Sequence, residues 1–453
     1  MSGRRAVGPV DTLWLRADRP ENLMVIDAVL WLDAPVEIDR LRAVVQSRIV
    51  DRYPVFHQRL APDLFPFAPK QWEDDPEFDL ALHVHVRQLE PPADEASLAA
   101  YVEAQMQVPF DLHRPLWQMH VLQGFEGGAA IVARFHHAIA DGIALVQVLL
   151  SLTDEAPDGD LMTDVDTADE PARTFAVPGL DLALKAAGQA TRLLRPSVVS
   201  DAVTLVQQTA HIADKLLLRS LPPSPILGMP GIPKRAVWSQ PHRLSEVKRI
   251  GRSSGATVND VLVAAVSGAI AEYVASRGGD PMDLTTMVPV NLRDLDKPLP
   301  RELGNKFALA MLPLPSGVTS PRGRLAAAKQ RMDAIKSSPE AVITFGLINA
   351  IGFTNRNIEN VLVNFFSGKA IGVTTNVMGP MTGRYLVGAR VDGALGWVPG
   401  SGHQTVGVCI FSYDNTVRVG FKTDTTIVPD AERLVEAFDA ELDELTRLTH
   451  ATR

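Results

Sequence analysis

The amino-acid sequence predicts an α/β protein built from two halves of similar scale. Its 453 residues exceed the length of one ordinary domain, and 46% hydrophobic with 21% charged residues supply material for packed cores. Short apolar runs of strand length alternate with segments of helical period in both halves. An acidic loop and a proline-rich stretch separate the halves, so we divide the chain into residues 1–152, 153–234 and 235–453.

The first region, 1–152, shows two kinds of apolar pattern. Three segments have the spacing typical of helices: 34–52, 95–107 and 141–152. Three shorter segments are predicted strands: 80–86, 116–123 and 128–135. The alternation in the first of these strands would place His83 and His85 on one face.

The middle region, 153–234, differs sharply in composition. Residues 154–170 contain eight acidic residues and no basic residue, which is typical of a solvated loop. Two amphipathic helices are predicted after this loop, at 180–194 and 198–218. The basic side chains in or just beyond them are Lys185, Arg192, Arg195, Lys215 and Arg219. A proline-rich segment at 221–234 ends the region.

The last region, 235–453, again mixes helices and strands. The predicted helices are 245–252, 257–276, 322–338 and 430–448. The predicted strands are 236–239, 284–290, 308–314 and 370–376, followed by glycine-rich hairpins over 385–422. Asn259 and Asp260 fall in the first turn of the second helix, where amide and acidic side chains suit the positive end of the helix dipole.

Charge and cysteine content exclude several classes of protein. The net charge of −9 and the pI near 5.7 have the opposite sign from a nucleic-acid binder. The single cysteine, Cys409, excludes an internal disulfide or a cysteine-built zinc site, and favours a cytosolic chain. The phosphate-loop and dinucleotide fingerprints and the G-x-S-x-G elbow are absent.

We expect no signal peptide and no segment that spans a membrane. The longest uncharged apolar stretch, 341–355, has fifteen residues, whereas roughly 20 are needed to cross a bilayer. Such a stretch is typical of a buried helix, and a surface that touches lipid is the alternative.

The string FHHAIADG at 135–142 is the best candidate for a site of chemistry. An apolar strand ends at His136 and His137, and Asp141 and Gly142 open a helix, so the histidines are expected to face a cleft. A neutral imidazole can accept a proton from a hydroxyl at physiological pH. The residues alone leave two alternatives open: a buried histidine pair satisfied by backbone groups, and a metal site of His136, His137 and Asp141.

This string resembles the HHxxxDG signature of the CoA-dependent acyltransferase superfamily, which includes chloramphenicol acetyltransferase and peptide-synthetase condensation domains. Further motifs resemble those of the bacterial wax ester synthase/diacylglycerol acyltransferase family. They are PLW at 115–117, NDV at 259–261, VTTNVMGP at 373–380, DTLW at 11–14, PVNLRDL at 289–295 and GN at 304–305. The third of these is similar to the family's S-N-V-P-G-P segment, with Thr375 in place of serine and Met378 in place of proline.

The resemblance implies two chloramphenicol-acetyltransferase-like domains with mixed sheets flanked by helices. A long crossover linker would join them, and an active-site tunnel would lie between them. The implied reaction is acyl transfer from acyl-CoA to the hydroxyl of a diacylglycerol or a long-chain alcohol, with His137 as general base. Because a thioester is already activated, we expect no metal and no other cofactor. His136 and Asp141 would orient the site, beside Gly142.

The remaining expectations concern the facing wall and the partners. Thr375 and Asn376 are candidate donors to the tetrahedral oxyanion, while Asn259 and Asp260 either shape the tunnel or form a plain helix N-terminus. An acceptor as apolar as diacylglycerol predicts a cytoplasmic protein that binds a membrane or lipid-droplet surface peripherally, through the basic helices or 341–355. Two other functions stay open: a condensation-type acyltransferase that uses carrier-bound acyl groups, and a lipid-binding protein without activity.

Overall fold

The computed structural model describes residues 4–63, 69–159, 221–293, 297–336, 338, 344 and 367–450. Strands and helices alternate in both halves of this part of the chain, which confirms the predicted α/β class. The predicted helices at 180–194 and 198–218, and nearly all of the apolar segment 341–355, lie outside the described residues.

The first half contains seven strands and four α-helices among the described residues. The strands are β1 (Arg5–Ala6), β2 (Val25–Leu32), β3 (Gln58–Leu60), β4 (Gln71–Asp74), β5 (Val84–Gln88), β6 (Trp117–Gln123) and β7 (Ala129–His136). The helices are α1 (Pro9–Ala17), α2 (Ile38–Val45), α3 (Glu95–Gln105) and α4 (Gly142–Leu150).

The second half contributes the other described elements. Its strands are β8 (Lys234–Trp238), β9 (His242–Arg243), β10 (Leu284–Asn291), β11 (Phe307–Leu314), β12 (Thr374–Met378), β13 (Tyr385–Leu386), β14 (Ala389–Trp397), β15 (Val406–Tyr413) and β16 (Thr416–Asp424). Its helices are α5 (Leu244–Ser254), α6 (Val258–Ser276), α7 (Pro321–Lys336) and α8 (Glu432–His450).

Two larger sheets organise the fold. The first has six strands in the order β13-β14-β2-β7-β6-β5, and the second has the order β12-β15-β16-β8, with β9 also paired to β16. Most pairs are antiparallel, whereas β5 pairs with β6, and β12 with β15, in parallel. Both larger sheets are therefore mixed, as the resemblance implied. Smaller sheets are formed by β10 with β11 and by β1, β4 and β3.

One strand crosses the division of the chain into two halves. Strand β14 belongs to the second half in sequence but pairs with β2 of the first, with Trp397 opposite Asp27 and Leu395 opposite Val29. Because β7 pairs with the other edge of β2, the strand that leads to the histidine motif sits in a sheet completed by the far end of the chain. The two halves are thus joined by a ladder of backbone hydrogen bonds, whose register shifts between Val391 and Gly393.

Helix α6 is the most deeply buried helix of the second half. It begins at a capping box in which Thr257 and Asp260 exchange side-chain and backbone hydrogen bonds. Among the described residues, it is also the one helix long and apolar enough to cross a membrane, and most of it is buried inside the protein. Such burial is typical of a core helix.

Three predicted elements differ from the structure. The helix predicted at 34–52 is α2 followed by a π-helical turn, Gln46–Val50. The strand predicted at 80–86 is wrong at its start, because the Asp79 side chain accepts a hydrogen bond from the Ala81 amide and caps a 3₁₀ turn, Leu80–Leu82. The strand predicted at 370–376 begins only at Thr374, since the residues before it bond to β10 instead.

Candidate active site

The histidine motif stands where strand β7 ends. His136 is the last residue of the strand, opposite Val25, and the amide of His137 donates to the carbonyl of Met24 at 2.7 Å. A short turn follows, and helix α4 begins after Asp141, whose carboxylate accepts a hydrogen bond of 3.0 Å from the Ala144 amide. This cap holds the turn between His137 and the start of helix α4 in one conformation. His137 therefore has a defined position relative to the N-terminus of α4.

His137 lies between two aromatic side chains and faces a cavity. The Trp14 ring stacks on its imidazole with 4.5 Å between centroids, and Phe307 approaches to 5.8 Å. Its Nδ1 atom is buried and has no hydrogen-bond partner among the described residues, and the side chain lines the cavity. Burial lowers the pKa of His137, while its own carbonyl, the Asp141 carboxylate and the Asn305 side chain oppose that shift. The imidazole is therefore neutral at physiological pH.

His136 points away from this cavity. It is fully buried, its Nδ1 accepts a hydrogen bond of 3.1 Å from the Ala138 amide, and its Nε2 lies 3.9 Å from the Asp18 carboxylate. Burial, helped by the neighbouring His137, lowers the pKa of His136 to about 3. The hydrogen bond from the Ala138 amide shows that the His136 ring holds the turn of the motif.

Asp141 forms a buried ion pair with the second half of the chain. Its carboxylate lies 2.9 Å from the guanidinium of Arg293 and accepts a further hydrogen bond from the Lys306 amide at 3.0 Å. Arg293 also donates to the carbonyl of Gly304. The aspartate of the motif therefore ties the histidine turn to the segment between β10 and β11.

A second buried carboxylate supports the same turn from the other side. Asp11 accepts hydrogen bonds from the amide and the side chain of Asn305, at 3.0 and 2.8 Å. The Asn305 side chain in turn donates to the carbonyl of His137 at 2.6 Å. Burial raises the pKa of Asp11, with the bonds from Asn305 opposing. Sequence reasoning gave roles to neither residue, although both lie in the DTLW and GN motifs.

The cavity beside His137 is lined mainly by apolar side chains. It contains about 1340 Å³ of space free of protein atoms, counted out to its mouth. Both halves of the chain line it: β2 and α4 with Ile26 and Leu149, and the second half with Met287 and Leu395. Gly142 also lines the cavity, and a Cβ placed there would meet Val398 only at an ordinary contact distance of 3.8 Å.

The four candidate residues of the facing wall divide into two groups. Thr375 and Asn376 line the cavity together with His137, whereas Asn259 and Asp260 do not. The Asn376 side chain donates to Oδ1 of Asn259 at 2.5 Å, and the Thr375 hydroxyl donates to the Val408 carbonyl at 3.4 Å. Asp260 caps helix α6, so of the two residues of the NDV motif Asn259 is the one that contacts the cavity wall.

The cavity brings together the buried imidazole of His137, a largely apolar lining, and the hydroxyl and amide side chains of Thr375 and Asn376. These are the parts needed for acyl transfer to a hydroxyl: proton removal, storage of an apolar chain and stabilisation of an oxyanion. Across the described ranges, no three His, Cys, Asp or Glu side chains lie together in a group that could hold a metal ion. Cys409 also lines the cavity, and burial raises the pKa of its thiol to about 11.

Two family profiles match the chain. The wax ester synthase/diacylglycerol acyltransferase catalytic domain covers residues 7–262, and the C-terminal domain of the same family covers residues 303–446. A chain of Mycobacterium tuberculosis H37Rv that carries the provisional name of a diacylglycerol O-acyltransferase is 28% identical over 426 residues, 88% of this chain and 87% of that one. Another chain of that strain, provisionally named in the same way, is 25% identical over 461 residues, 96% of this chain and 89% of its own.

Solved structures share the fold. The wax ester synthase/diacylglycerol acyltransferase from Marinobacter aquaeolei VT8 superposes with a TM-score of 0.69 at 19% identity, covering 98% of this chain and 99% of that one. The first condensation domain of the calcium-dependent antibiotic synthetase gives a TM-score of 0.59 at 16% identity, covering 99% and 97%. At these identities the likeness concerns the fold alone.

Proposed function

The chain belongs to the wax ester synthase/diacylglycerol acyltransferase family, and on that premise we propose that it transfers an acyl group from acyl-CoA to the hydroxyl of a diacylglycerol or a long-chain alcohol. The observation that supports the proposal best is a neutral histidine on the wall of an apolar cavity. The cavity suits the hydrocarbon chain of such a substrate.

In the proposed mechanism, His137 acts as the general base. Its Nε2 removes the proton of the acceptor hydroxyl as that oxygen attacks the carbonyl carbon of the thioester. The tetrahedral intermediate then collapses, the carbon–sulfur bond breaks, and the imidazolium returns its proton to the thiolate. The products are an ester and free coenzyme A, and general-base assistance of this kind is worth about 10²–10⁴-fold in rate.

The face of Trp14 supports the charged form of His137 during this reaction. An aromatic face attracts a cation by about 0.5–2 kcal/mol, and the stacked ring lies 4.5 Å from the imidazole. The positive charge that develops on His137 is thus met by the indole and by the carboxylate of Asp141, which contributes to the pKa of the imidazole.

The oxyanion of the intermediate needs a donor on the facing wall. We assign this role to Thr375 before Asn376, because the Thr375 hydroxyl would lose only a long hydrogen bond of 3.4 Å on turning toward the oxyanion, whereas the short bond of 2.5 Å to Asn259 fixes the orientation of the Asn376 amide and uses one of its two N–H donors. Removing one such donor typically costs about 10²–10³-fold in rate. The reaction uses no metal and no redox cofactor, since the thioester supplies the activated acyl group.

A diacylglycerol acceptor also has consequences for where the protein works. Such a lipid partitions into bilayers and lipid droplets, so the proposed enzyme binds their surfaces peripherally from the cytoplasm. The net charge of −9 opposes binding to anionic lipid as a whole, and local basic or apolar features would have to provide the attachment.

A competition assay tests the proposed reaction directly. Purified protein is incubated with labelled palmitoyl-CoA and a mixture of diacylglycerol, hexadecanol and a short alcohol. We expect label in triacylglycerol, in wax ester or in both, with release of free coenzyme A in equal amount. Tight binding of palmitoyl-CoA without any ester product would instead indicate a lipid-binding protein without activity.

The pH dependence of the reaction follows from the lowered pKa of His137. A general base must be deprotonated, so the acid limb of kcat/KM should have its midpoint below 6.5, the ordinary value for histidine. The measurement uses an acyl N-acetylcysteamine thioester as donor, because phosphate groups like those of coenzyme A titrate near pH 6. A midpoint above 6.5 would contradict a base buried as His137 is.

A further inference from the structure

A second, smaller pocket adjoins the catalytic cavity. It contains about 470 Å³ of space free of protein atoms and shares Val398 and Gln404 with the cavity. Lys422 and Lys234 also line it, together with Asp424. We call it the lysine pocket.

The ammonium of Lys422 is short of partners. The side chain is 11% exposed, and its nitrogen lies 3.6 Å from Oδ2 of Asp27, a longer separation than a hydrogen bond. Oδ2 of Asp27 is itself buried and accepts no hydrogen bond from the described residues. An ammonium carries three donors, so this one has capacity left for an acceptor in the lysine pocket.

Lys234 is in a different position. Its ammonium donates to Oδ2 of Asp424 at 2.6 Å and to the Gly231 carbonyl at 2.7 Å. The Asp424 carboxylate also accepts hydrogen bonds from the amides of Gly231 and Thr426. This pair neutralises itself and leaves Lys422 as the cation that faces the pocket.

The charges around Lys422 do not balance. Arg134 bonds the other oxygen of Asp27 at 3.3 Å, so a guanidinium and an ammonium share that one carboxylate. With the Lys234–Asp424 pair, three cations face two carboxylates in a buried cluster. Burial and the repulsion from Lys234 and Arg134 lower the pKa of Lys422, and Asp27 opposes the shift. A buried positive charge that shares its only nearby carboxylate with a second cation is incompletely neutralised, which is costly, and a bound anion would reduce that cost.

The lysine pocket and the catalytic cavity each share a lining residue with an outer groove. Asn22 lines both this pocket and an outer groove of about 1100 Å³, and Ser401 lines both the groove and the catalytic cavity. The groove adds the side chains of Arg19 and His403. A substrate whose acyl chain fills the cavity could therefore extend a polar end past Lys422.

We propose that the lysine pocket is an anion subsite, in which Lys422 binds a phosphate or carboxylate group of a substrate held at His137. The inference rests on the proposed function, because that function names the substrates. Coenzyme A carries phosphates at the end remote from the thioester, whereas diacylglycerol and fatty alcohols are uncharged. A phosphate of the donor is the expected occupant, and the carboxylate of an anionic acceptor is the other source of the same chemistry.

The test compares Lys422→Met with the wild-type protein in two kinds of experiment. Direct titration measures the Kd of coenzyme A and of pantetheine, which lacks the phosphates. Steady-state assays compare palmitoyl-CoA with palmitoyl-pantetheine as donors, and hexadecanol with an ω-hydroxy derivative of palmitic acid as acceptors. Lys248→Met, on the exposed face of α5, removes one positive charge far from the pocket and serves as the matched control. Lys422→Arg keeps the charge, and thermal unfolding verifies that each variant is folded.

If the phosphate occupies the pocket, Lys422→Met should weaken the binding of coenzyme A and raise the KM for palmitoyl-CoA, each by about tenfold. Lys422→Met should leave the Kd of pantetheine and the KM for palmitoyl-pantetheine unchanged. Lys422→Arg, which keeps the charge, should restore most of the affinity for coenzyme A. A rise in KM confined to the ω-hydroxy acid would place the acceptor's carboxylate there instead. Equal effects on charged and uncharged ligands, or no effect on any of them, would overturn the subsite.

The titration keeps this proposal separate from the proposed reaction. Weaker binding of coenzyme A by Lys422→Met, in a protein that makes no ester, would support the subsite and contradict the reaction. Ester formation with an unchanged Kd and KM for every ligand would support the reaction and contradict the subsite.

Discussion

Replacing His137 by alanine should lower turnover at least a hundredfold while the protein stays folded. The variant loses the imidazole that lines the cavity, which we propose as the general base, and such assistance is typically worth about 10²–10⁴-fold in rate. The His137 side chain makes no ion pair with the described residues, and its turn is held by the backbone of His137 and by Asp141. The measurement is steady-state release of coenzyme A, with circular dichroism and thermal unfolding to verify the fold.

His136→Ala is the matched control for this result. The two residues are neighbours, but His136 is buried away from the cavity and has a pKa of about 3. Its loss should reduce turnover less than the loss of His137, and should affect thermal stability more, because it leaves a hole in the packing around the motif. Near wild-type rates in both variants would show that the base lies elsewhere.

The ion pair between Asp141 and Arg293 should dominate the stability of the site. Asp141→Ala removes the N-cap of α4, the acceptor of the Lys306 amide and the partner of a guanidinium that is 11% exposed. Breaking a buried pair by removing one partner typically costs about 3–5 kcal/mol, because the other charge stays buried. Urea unfolding of Asp141→Ala should show a loss of this size, with turnover falling as the histidine turn loosens.

Two further variants test whether the unpaired buried charge of Arg293 causes the loss of stability in Asp141→Ala. Asp141→Asn keeps an acceptor at the cap but removes the charge, so its loss of stability should be intermediate. Asp333→Ala removes the exposed i,i+4 pair of Asp333 with Lys329 on α7 and should change stability far less. If both aspartate-to-alanine variants unfold at the same urea concentration, the Asp141 pair has no special role in stability.

Local patterns predicted many elements to within a few residues. Strand β7 and helix α4 were expected at 128–135 and 141–152 and lie at Ala129–His136 and Gly142–Leu150. Here the apolar run, the histidine pair and the Asp-Gly step all favour the same boundary. The helix predicted at 257–276, with Asn259 and Asp260 in its first turn, is α6 at Val258–Ser276.

Strand β2 and helix α1 were not predicted from the sequence. Strand β2, VIDAVLWL, is buried on both faces, so it lacks the alternation that distinguishes a strand from a buried helix. Helix α1 has nine residues and no side-chain cap. Its contribution to the site is made through contacts that are distant in sequence, because Trp14 stacks on His137 and Asp11 accepts a hydrogen bond from Asn305 of the second half.

The hydrogen bonds between residues far apart in sequence are the part of the site that the sequence did not predict. Asn305 joins Asp11 to the carbonyl of His137, and nothing local to any of the three residues indicates the others. The resemblance to a family identified the DTLW and GN motifs along the chain. It did not indicate that residues of these two motifs bond to each other and to His137. Likewise, Thr375 and Asn376 could be proposed for the facing wall, whereas their bonds to Val408 and Asn259 required the structure.

The position of β14 in the first sheet has a consequence for synthesis on the ribosome. Its partner β2 ends at Leu32, but the chain reaches Ala389 only after most of the protein has been made. Translation proceeds at about 5–20 residues per second, so one edge of β2 stays unpaired for roughly 20–70 s. An unpaired strand edge is a site for chaperone binding and for aggregation. Ala394 and Leu395 of β14 also line the catalytic cavity. The nascent enzyme thus has no closed channel for an acyl chain until translation is almost complete.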